Sequence, residues 1–327
     1  LDAQDRALLE QVQAAVPLVP RPFAALGAGL GLAESEVLAR LGRLGERGLI
    51  RQIGPIFDTR RLGYQSTLVA FHAREGELDQ VAAQVSAHPG VSHNYARPHH
   101  YNLWFTLAVP PGQQVSGHIG QLARLTGVED WLNLPALRAF KIRTHFKLDG
   151  SGSHQPSGST GQKRVRDPDF SPADIPYVRA LQGDLPLLPR PFAEIAGRWG
   201  MTEQELLDKA AGLRSAGIMR RFSAVLRHRR VGYSANGMAC WVVPESRMEA
   251  AGQLAARYPE VSHCYQRPAY PPRWPYTLFT MIHGRTVEQV EAIVAQIGRE
   301  TGLEQYEVLY STHEFKKERV RYFEEET

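Results

Sequence analysis

The stretch Val91–Thr106, VSHNYARPHHYNLWFT, gathers three histidines, two tyrosines, an arginine and a tryptophan into sixteen positions. Imidazoles exchange protons near neutral pH, guanidinium groups fork onto carboxylates, and large aromatic rings lie against other rings. Such a set suits proton transfer on a flat, anionic, aromatic ligand and suits a dry core poorly. Strand alternation puts His93, Tyr95 and Arg97 on one face. Pro98-His99-His100-Tyr101 reads as a turn, and Asn102-Leu103-Trp104-Phe105-Thr106 returns beside the first run. Further along, SHCYQRPAYPPRWPYTLFTMIHG carries His263, Tyr265, Arg267, Tyr270, Trp274 and Tyr276 in a similar order.

The elements that position these residues come from a chain of 327 residues, too long for one ordinary core, which implies two to four modules. Hydrophobic residues at 43% and charged residues at 22% are globular values, so a buried core is expected. No run approaches the roughly 20 apolar residues of a membrane span, and no signal-peptide pattern is evident. Cys240 and Cys264 are the only cysteines. Their lack of motif spacing fits a reducing compartment, which we read as cytoplasm, and leaves no basis for a zinc site. A net charge of +4 permits an acidic partner but is too weak to identify nucleic acid.

The strongest organisational signal is internal duplication. Pro17-Leu-Val-Pro-Arg-Pro-Phe23 recurs as Pro186-Leu-Leu-Pro-Arg-Pro-Phe192, and Arg60-Arg61-Leu62-Gly63-Tyr64 as Arg229-Arg230-Val231-Gly232-Tyr233. His93-Asn-Tyr95-Ala-Arg97-Pro98 recurs as His263-Cys-Tyr265-Gln-Arg267-Pro268. Trp104-Phe-Thr106 is paired with Leu278-Phe-Thr280 after an insertion around Pro271–Trp274, and Thr144-His145 with Thr312-His313. Between the copies, 149–172 is rich in Gly and Ser without hydrophobic period and reads as a flexible tether.

Each copy divides again. Asp5–Val16, Phe23–Leu30 and Ala33–Arg47 carry apolar residues at helical spacing, the last ended by Gly48. Ile50–Asp58 and Met219–Leu226 read as short β wings, so 1–60 and 173–228 are winged helix-turn-helix modules. Next come Ser66–His72 (strand), Glu77–Ala87 (helix), Val91–Arg97 and Asn102–Val109 (strands), Val115–Thr126 (helix) and Arg138–Lys147 (strand). That βαββαβ order is ferredoxin-like and assigns 61–148 and 229–327 to two such domains. The fold class is therefore α+β, a tandem duplication, with one face of each antiparallel sheet free for a ligand or partner.

This arrangement resembles the Lrp/AsnC family of transcription regulators, which implies fold and paired sheets rather than activity. The recognition helix argues against DNA, because its first turn should meet phosphates and base edges. Here that turn carries Glu34 and Glu36, and its second copy Glu203 and Glu205. A scaffold role is preferred.

The aromatic, histidine-rich blocks, with the PRPF and RRLGY blocks, are similar to siroheme decarboxylases, more narrowly the fused NirD–NirL type of haem d1 biosynthesis in denitrifying bacteria, related to paired AhbA and AhbB subunits. The resemblance implies removal of CO2 from the acetate groups at C12 and C18 of siroheme, giving 12,18-didecarboxysiroheme. It carries the family's catalytic histidines onto His93, His99 and His263; the position matching His99 is Ala269. Either one half does the chemistry and the other closes the pocket, or the two pockets use different acids. Siroheme is a flat macrocycle bearing eight carboxylates, so Arg97 and Arg267, with Arg60, Arg61, Arg229 and Arg230, are candidate carboxylate binders. Tyr95, His100, Asn102, Trp104, His145, Tyr265, Tyr270, Trp274 and His313 complete the candidate substrate-binding set, with Tyr101 and Tyr276 also placed to stack. Losing CO2 leaves an electron pair for the ring to accept and a carbon needing a proton, which histidine, with an ordinary pKa near 6.5, can deliver. Iron comes with the substrate, so no separate cofactor is expected; axial ligation by a histidine stays open. Pairing of the halves or self-association is expected, and the resemblance implies NirG- and NirH-like subunits as further partners. Blander readings stand beside these: solvated Arg60 and Arg61, a packing role for Trp104, and surface or structural places for His72, His88, His118, His154, His228 and His283.

Overall fold

The computed structural model describes residues 1–142, 170–226 and 235–324. Helix α1 (Ala3–Ala14) starts where Asp2 and Asp5 cap each other's backbone amides. It buries Leu8, Leu9 and Val12. Helix α2 (Pro22–Ala28) uses Pro22 in its first turn, where the missing N–H costs nothing. Helix α3 (Glu34–Glu46) turns Val37, Leu41 and Leu44 inward. The second copy repeats the trio as α6 (Ile175–Leu181), α7 (Pro191–Arg198) and α8 (Glu203–Ser215). Phe170 stacks on Phe323, and Ser171 caps a 3-10 turn ahead of α6. The last residues of the expected tether thus belong to the second module; the rest of it lies outside the described residues.

The wings differ from the expectation. Strand β1 (Ile50–Phe57) pairs antiparallel with β7 (Met219–Leu226) of the other half, a two-stranded ribbon that joins the modules. Around it the helices of both copies share one apolar core, which Leu62, Tyr64 and Tyr322 also enter. An isolated wing hairpin would expose a strand edge; here each copy supplies the other's partner.

The first sheet-forming part comprises β2 (Gln65–Phe71), α4 (Leu78–Ala87), β3 (Val91–Ala96), β4 (Leu103–Val109), α5 (Val115–Thr126), β5 (Trp131–Pro135) and β6 (Arg138–Ile142). The second comprises β8 (Ala235–Trp241), α9 (Glu245–Arg257), β9 (Val261–Gln266), β10 (Leu278–Gly284), α10 (Val287–Thr301), β11 (Tyr306–Tyr310) and β12 (His313–Lys317). The sheet orders are β12-β3-β4-β2-β5 and β11-β8-β10-β9-β6. The strand closing each ferredoxin-like unit is therefore β5 or β11. The strand expected to close the first one, β6, crosses to pair with β9, and β12 crosses to pair with β3. Phe140 of β6 packs into the second half's helix-side core and Phe315 of β12 into the first's. Lys141 and Lys316 donate to the carbonyls of Tyr258 and Ser86 in the opposite half, at 2.5 and 2.7 Å.

This register corrects two of the repeat alignments. Arg138 stands opposite Gln266 and His313 opposite Ala96, equivalent places in the repeat, so His313 corresponds to Arg138 rather than to His145. Tyr95 stands opposite Trp104 and Tyr265 opposite Phe279, so Trp104 corresponds to Phe279 and not Leu278. A one-residue slip puts a side chain on the wrong face: Trp104 and Phe279 share the central cluster, whereas Leu278 faces the helices. The faces expected to be open are covered too. Ala70, Trp104, Leu132 and Leu134 of one sheet pack with Met238, Cys240, Phe279 and Leu309 of the other.

Candidate active site

Strands β3 and β9 carry the first histidines, and a β-bulge in each aims them. Val91 pairs with Leu107 but His93 with Thr106; Val261 pairs with Ile282 but His263 with Met281. Each bulge sets a serine and a histidine against one partner residue, a device that redirects side chains near functional sites. Ser92 Oγ lies 3.0 Å from His93 Nδ1 and 2.7 Å from Thr106 Oγ1. Ser262 Oγ lies 2.9 Å from His263 Nδ1.

Two residues on, Tyr95 and Tyr265 hold their rings 6.2 and 6.0 Å from the histidine rings. Arg97 and Arg267 come next on the same face. Arg97 is 5% exposed, and its Nη1 donates to the Leu309 carbonyl; Arg267 Nη1 donates to the Leu134 carbonyl. Each arginine thus reaches across to the closing strand of the opposite half. Arg267 also lies over the Tyr265 ring, 5.0 Å from its centroid. Among the described residues neither guanidinium forms an ion pair, and the Nε of each has no hydrogen-bond partner. Burial pulls both down to about 10, still charged at neutral pH.

Burial also pushes His93 and His263 down to about 4. Lys317, Arg51 and His263 add to the effect on His93, while Arg267 and Lys141 add to it on His263. The ligand-free imidazoles are thus neutral at pH 7, so the free protein does not hold a ready imidazolium. The two histidines sense each other across the junction of the halves. Arg220 and Arg60 reach Tyr265 with their charge, so the cationic shell draws on both copies.

A second group forms where the β3–β4 turn meets the insertion of the second copy. His99 Nδ1 accepts from the Tyr101 amide at 3.0 Å, which leaves its Nε2 facing Glu307 at 3.5 Å. Tyr276 donates to the same carboxylate at 3.0 Å. Burial lowers the His99 pKa and the Glu307 charge opposes that. Trp274 is fully buried, 5.6 Å from the His99 ring and 5.3 Å from that of Trp104. Cys240, whose thiol burial pushes up, lies within the fields of Arg97, Arg267 and Glu307, which links this group to the arginines.

The other expected residues fall elsewhere. His100 is exposed at the rim, 2.8 Å from Asp130 and stacked on His72. Asn102 gives its amide to the Ala73 carbonyl and accepts from the Ala73 amide, both at 2.8 Å, so it pins the β3–β4 turn to the end of β2. Trp104 donates to the Tyr101 carbonyl at 2.7 Å and is buried in the central cluster, which makes it packing. Tyr270 donates to the Asn133 carbonyl at 2.5 Å, bridging the halves. Arg61 donates to the Ala216 carbonyl at 2.8 Å, which ties it to the helical modules; Arg60 is exposed. His313 is exposed at the start of β12, against Phe315. His145, Arg229 and Arg230 lie outside the described residues. Sequence reasoning missed Lys141, Lys317, Arg51, Arg220 and Glu307. Lysines on the last strands were its only available signal, and that required knowing where those strands go.

The helical modules turn their acidic first turns to internal use. Arg21 and Arg190, the arginines of the two PRPF blocks, pair with Glu34 and Glu203. Both glutamates are largely buried.

Comparison with known proteins agrees with this architecture. Residues 61–141 and 230–316 match the AsnC-like ligand binding domain, and 5–51 and 177–220 the siroheme decarboxylase NirDL-like HTH domain. A siroheme decarboxylase of Hydrogenobacter thermophilus is 42% identical over 98% of this chain and 95% of its own. The siroheme decarboxylase NirDL subunit of Paracoccus denitrificans is 35% identical over 97% of this chain and 96% of its own. A solved siroheme decarboxylase NirDL, in co-complex with an iron-uroporphyrin III analogue, superposes with a TM-score of 0.76 at 38% identity, covering 98% of this chain and 95% of that one. With matches that run the length of both halves, the chain belongs to the siroheme decarboxylase family in its fused NirDL form.

Proposed function

We propose that this protein is a carboxy-lyase that removes CO2 from the C12 and C18 acetate groups of siroheme, the step that serves haem d1 formation. The observation that carries the reading is the pair of arginines, buried Arg97 and half-buried Arg267, each with a buried Nε that has no partner. Each lacks an acidic partner among the described residues, and each comes four positions after a half-buried histidine. An unpaired charge in a low-dielectric site is costly, and a ligand carboxylate on Nε and Nη relieves that cost with forked, charge-assisted bonds. A ring with carboxylates on its periphery can engage both arginines together with Arg51 and Lys317, whose charges reach His93.

The same ligand changes the histidines. In the free protein burial first, and then cationic neighbours, keep both without a charging proton at pH 7. A bound polyanion reverses that field and raises both. The proton is then available where it is needed. The C–C bond to the carboxylate breaks, CO2 leaves, the conjugated ring takes the electron pair, and the arm's carbon gains the proton as a methyl group. His99, with its Nε2 turned to Glu307, is a third candidate acid beside the arginines. The iron belongs to the substrate, so the chain needs no cofactor of its own for this chemistry. The helical modules act as scaffold rather than as DNA readers, because Glu34 and Glu203 already hold Arg21 and Arg190. NirG- and NirH-like subunits complete the assembly, in the cytoplasm.

Anaerobic incubation with siroheme tests this. Mass spectrometry should find products lighter by one or two CO2; unchanged substrate, with the partner subunits supplied, refutes it.

A further inference from the structure

The bulged serines lead to different places in the two halves. In the second half Ser262 Oγ lies 2.9 Å from His263 Nδ1 and 2.7 Å from His283 Nε2, and also faces the Met281 carbonyl at 3.3 Å. His283 Nδ1 lies 2.6 Å from the Asn236 side-chain oxygen. An unbroken hydrogen-bonded chain therefore runs from half-buried His263 on β9 through Ser262 to half-buried His283 near the end of β10. In the first half the matching chain stops at Thr106: Ser92 touches His93 and Thr106, and Ala108 occupies the register position of His283. A hydroxyl, unlike an imidazole, has no ordinary protonation step near pH 7.

We propose that His283 and Ser262 form a proton relay that recharges His263, making His263 the histidine that donates to the substrate carbon. The proposal rests on the decarboxylase reading and specifies its proton path. Each CO2 released consumes one proton, and a histidine closed in by substrate needs another way to recover it. In the relay His263 Nε2 gives its proton to the carbon as the C–C bond breaks. As Nε2 gives up its proton, Nδ1, which carries none and is made more basic by the bound polyanion, takes the Ser262 hydroxyl proton. The His283 Nε2 proton moves to Ser262 Oγ, and His283 takes one proton from solvent. Once product leaves, His263 exchanges its Nδ1 proton through solvent for one on Nε2, which restores the starting tautomer. No oxidant or reductant enters. Among the described residues no second histidine joins the chain that starts at His93, which serves to orient and bind.

The relay residues touch no substrate, so they are positioning and proton-transfer residues. Their test is single-turnover CO2 release from siroheme, with visible-spectrum titration of siroheme binding alongside. His283→Gln and Ser262→Ala should bind siroheme as the parent does and slow CO2 release by about tenfold or more, since positioned proton transfer contributes at least that. The solvent deuterium isotope effect should grow in both, and 4-methylimidazole should restore rate to His283→Ala. Ser92→Ala, on the histidine outside the relay, should leave the solvent isotope effect as in the parent. Parent-like release by both His283→Gln and Ser262→Ala overturns the relay. So does a slowed His283→Ala that imidazole cannot rescue while Ser262→Ala stays fast. Should His283→Gln fail to bind siroheme, the smaller Ser262→Ala change decides. If the parent protein itself releases no CO2, the decarboxylase reading fails; if it does and the variants match it, only the relay fails.

Discussion

Removing the side chains of His93 and His263 should make the protein less sensitive to acid. Both imidazoles drop from 6.5 to about 4 on folding, chiefly through burial and then through Lys317, Arg51, Arg267 and Lys141. A depressed histidine binds fewer protons folded than unfolded. Its linkage therefore costs nothing above about pH 7, and stability falls as pH drops from 6.5 towards 4. Between about pH 7.5 and pH 5 each histidine should withdraw about 2 kcal/mol, at about 1.4 kcal/mol per pH unit. The pair makes about 4 kcal/mol, a large part of a typical unfolding free energy. Urea unfolding of the parent and of a His93→Gln/His263→Gln variant at the two pH values measures this directly, because every other titrating group cancels in the difference. The variant should lose about 4 kcal/mol less than the parent over that interval. An equal loss in both would show that these histidines are not held neutral by the fold, and the account of substrate-raised protonation would fall with it.

Other outcomes follow from the same geometry. Arg97→Met and Arg267→Met should each weaken siroheme binding about tenfold or more in a visible titration, because a hydrogen bond to a charged group is worth about 1.5–3 kcal/mol. Binding itself should take up protons at neutral pH, seen as a buffer-dependent heat in calorimetry; no buffer dependence counts against the raised histidines. Gly252→Ala should destabilise by about 1–3 kcal/mol, since its new methyl would stand 2.5 Å from the ring of Phe140, the side chain that β6 sends across from the other half; an unchanged urea midpoint refutes this. The two halves expressed separately should not fold alone, and co-expressed they should associate, because each sheet takes its edge strand from the other half.

Particular elements show how far the one-dimensional pattern reaches. Alternation places His93, Tyr95 and Arg97 on one face, and the repeat carries the same arrangement to His263, Tyr265 and Arg267; the register agrees. Helices α1 to α3 fall within a few residues of their hydrophobic periods. Asn102 reads as a ligand contact because polarity alone does not distinguish a side chain facing a substrate from one clamping Ala73. The five residues Trp131–Pro135 are too short a run to stand out as a strand, and without them Arg138–Ile142 becomes the segment that closes its own sheet.

Local composition thus determined the duplicated α+β plan, the absence of any long apolar run, and the histidine–arginine spacing on two matching strands, since these depend only on residue type and chain period. The tertiary structure decided which edge each terminal strand joins, that the two sheets face one another, and which cations surround each imidazole. Strand edges are chemically alike along the backbone, so a sequence can specify that a segment is a strand without specifying its neighbour. A pKa likewise depends on burial and charge contributed by residues far away in the chain. His283 shows both limits together: nothing beside it in sequence marks it, and only the fold sets it 2.7 Å from the serine that touches His263.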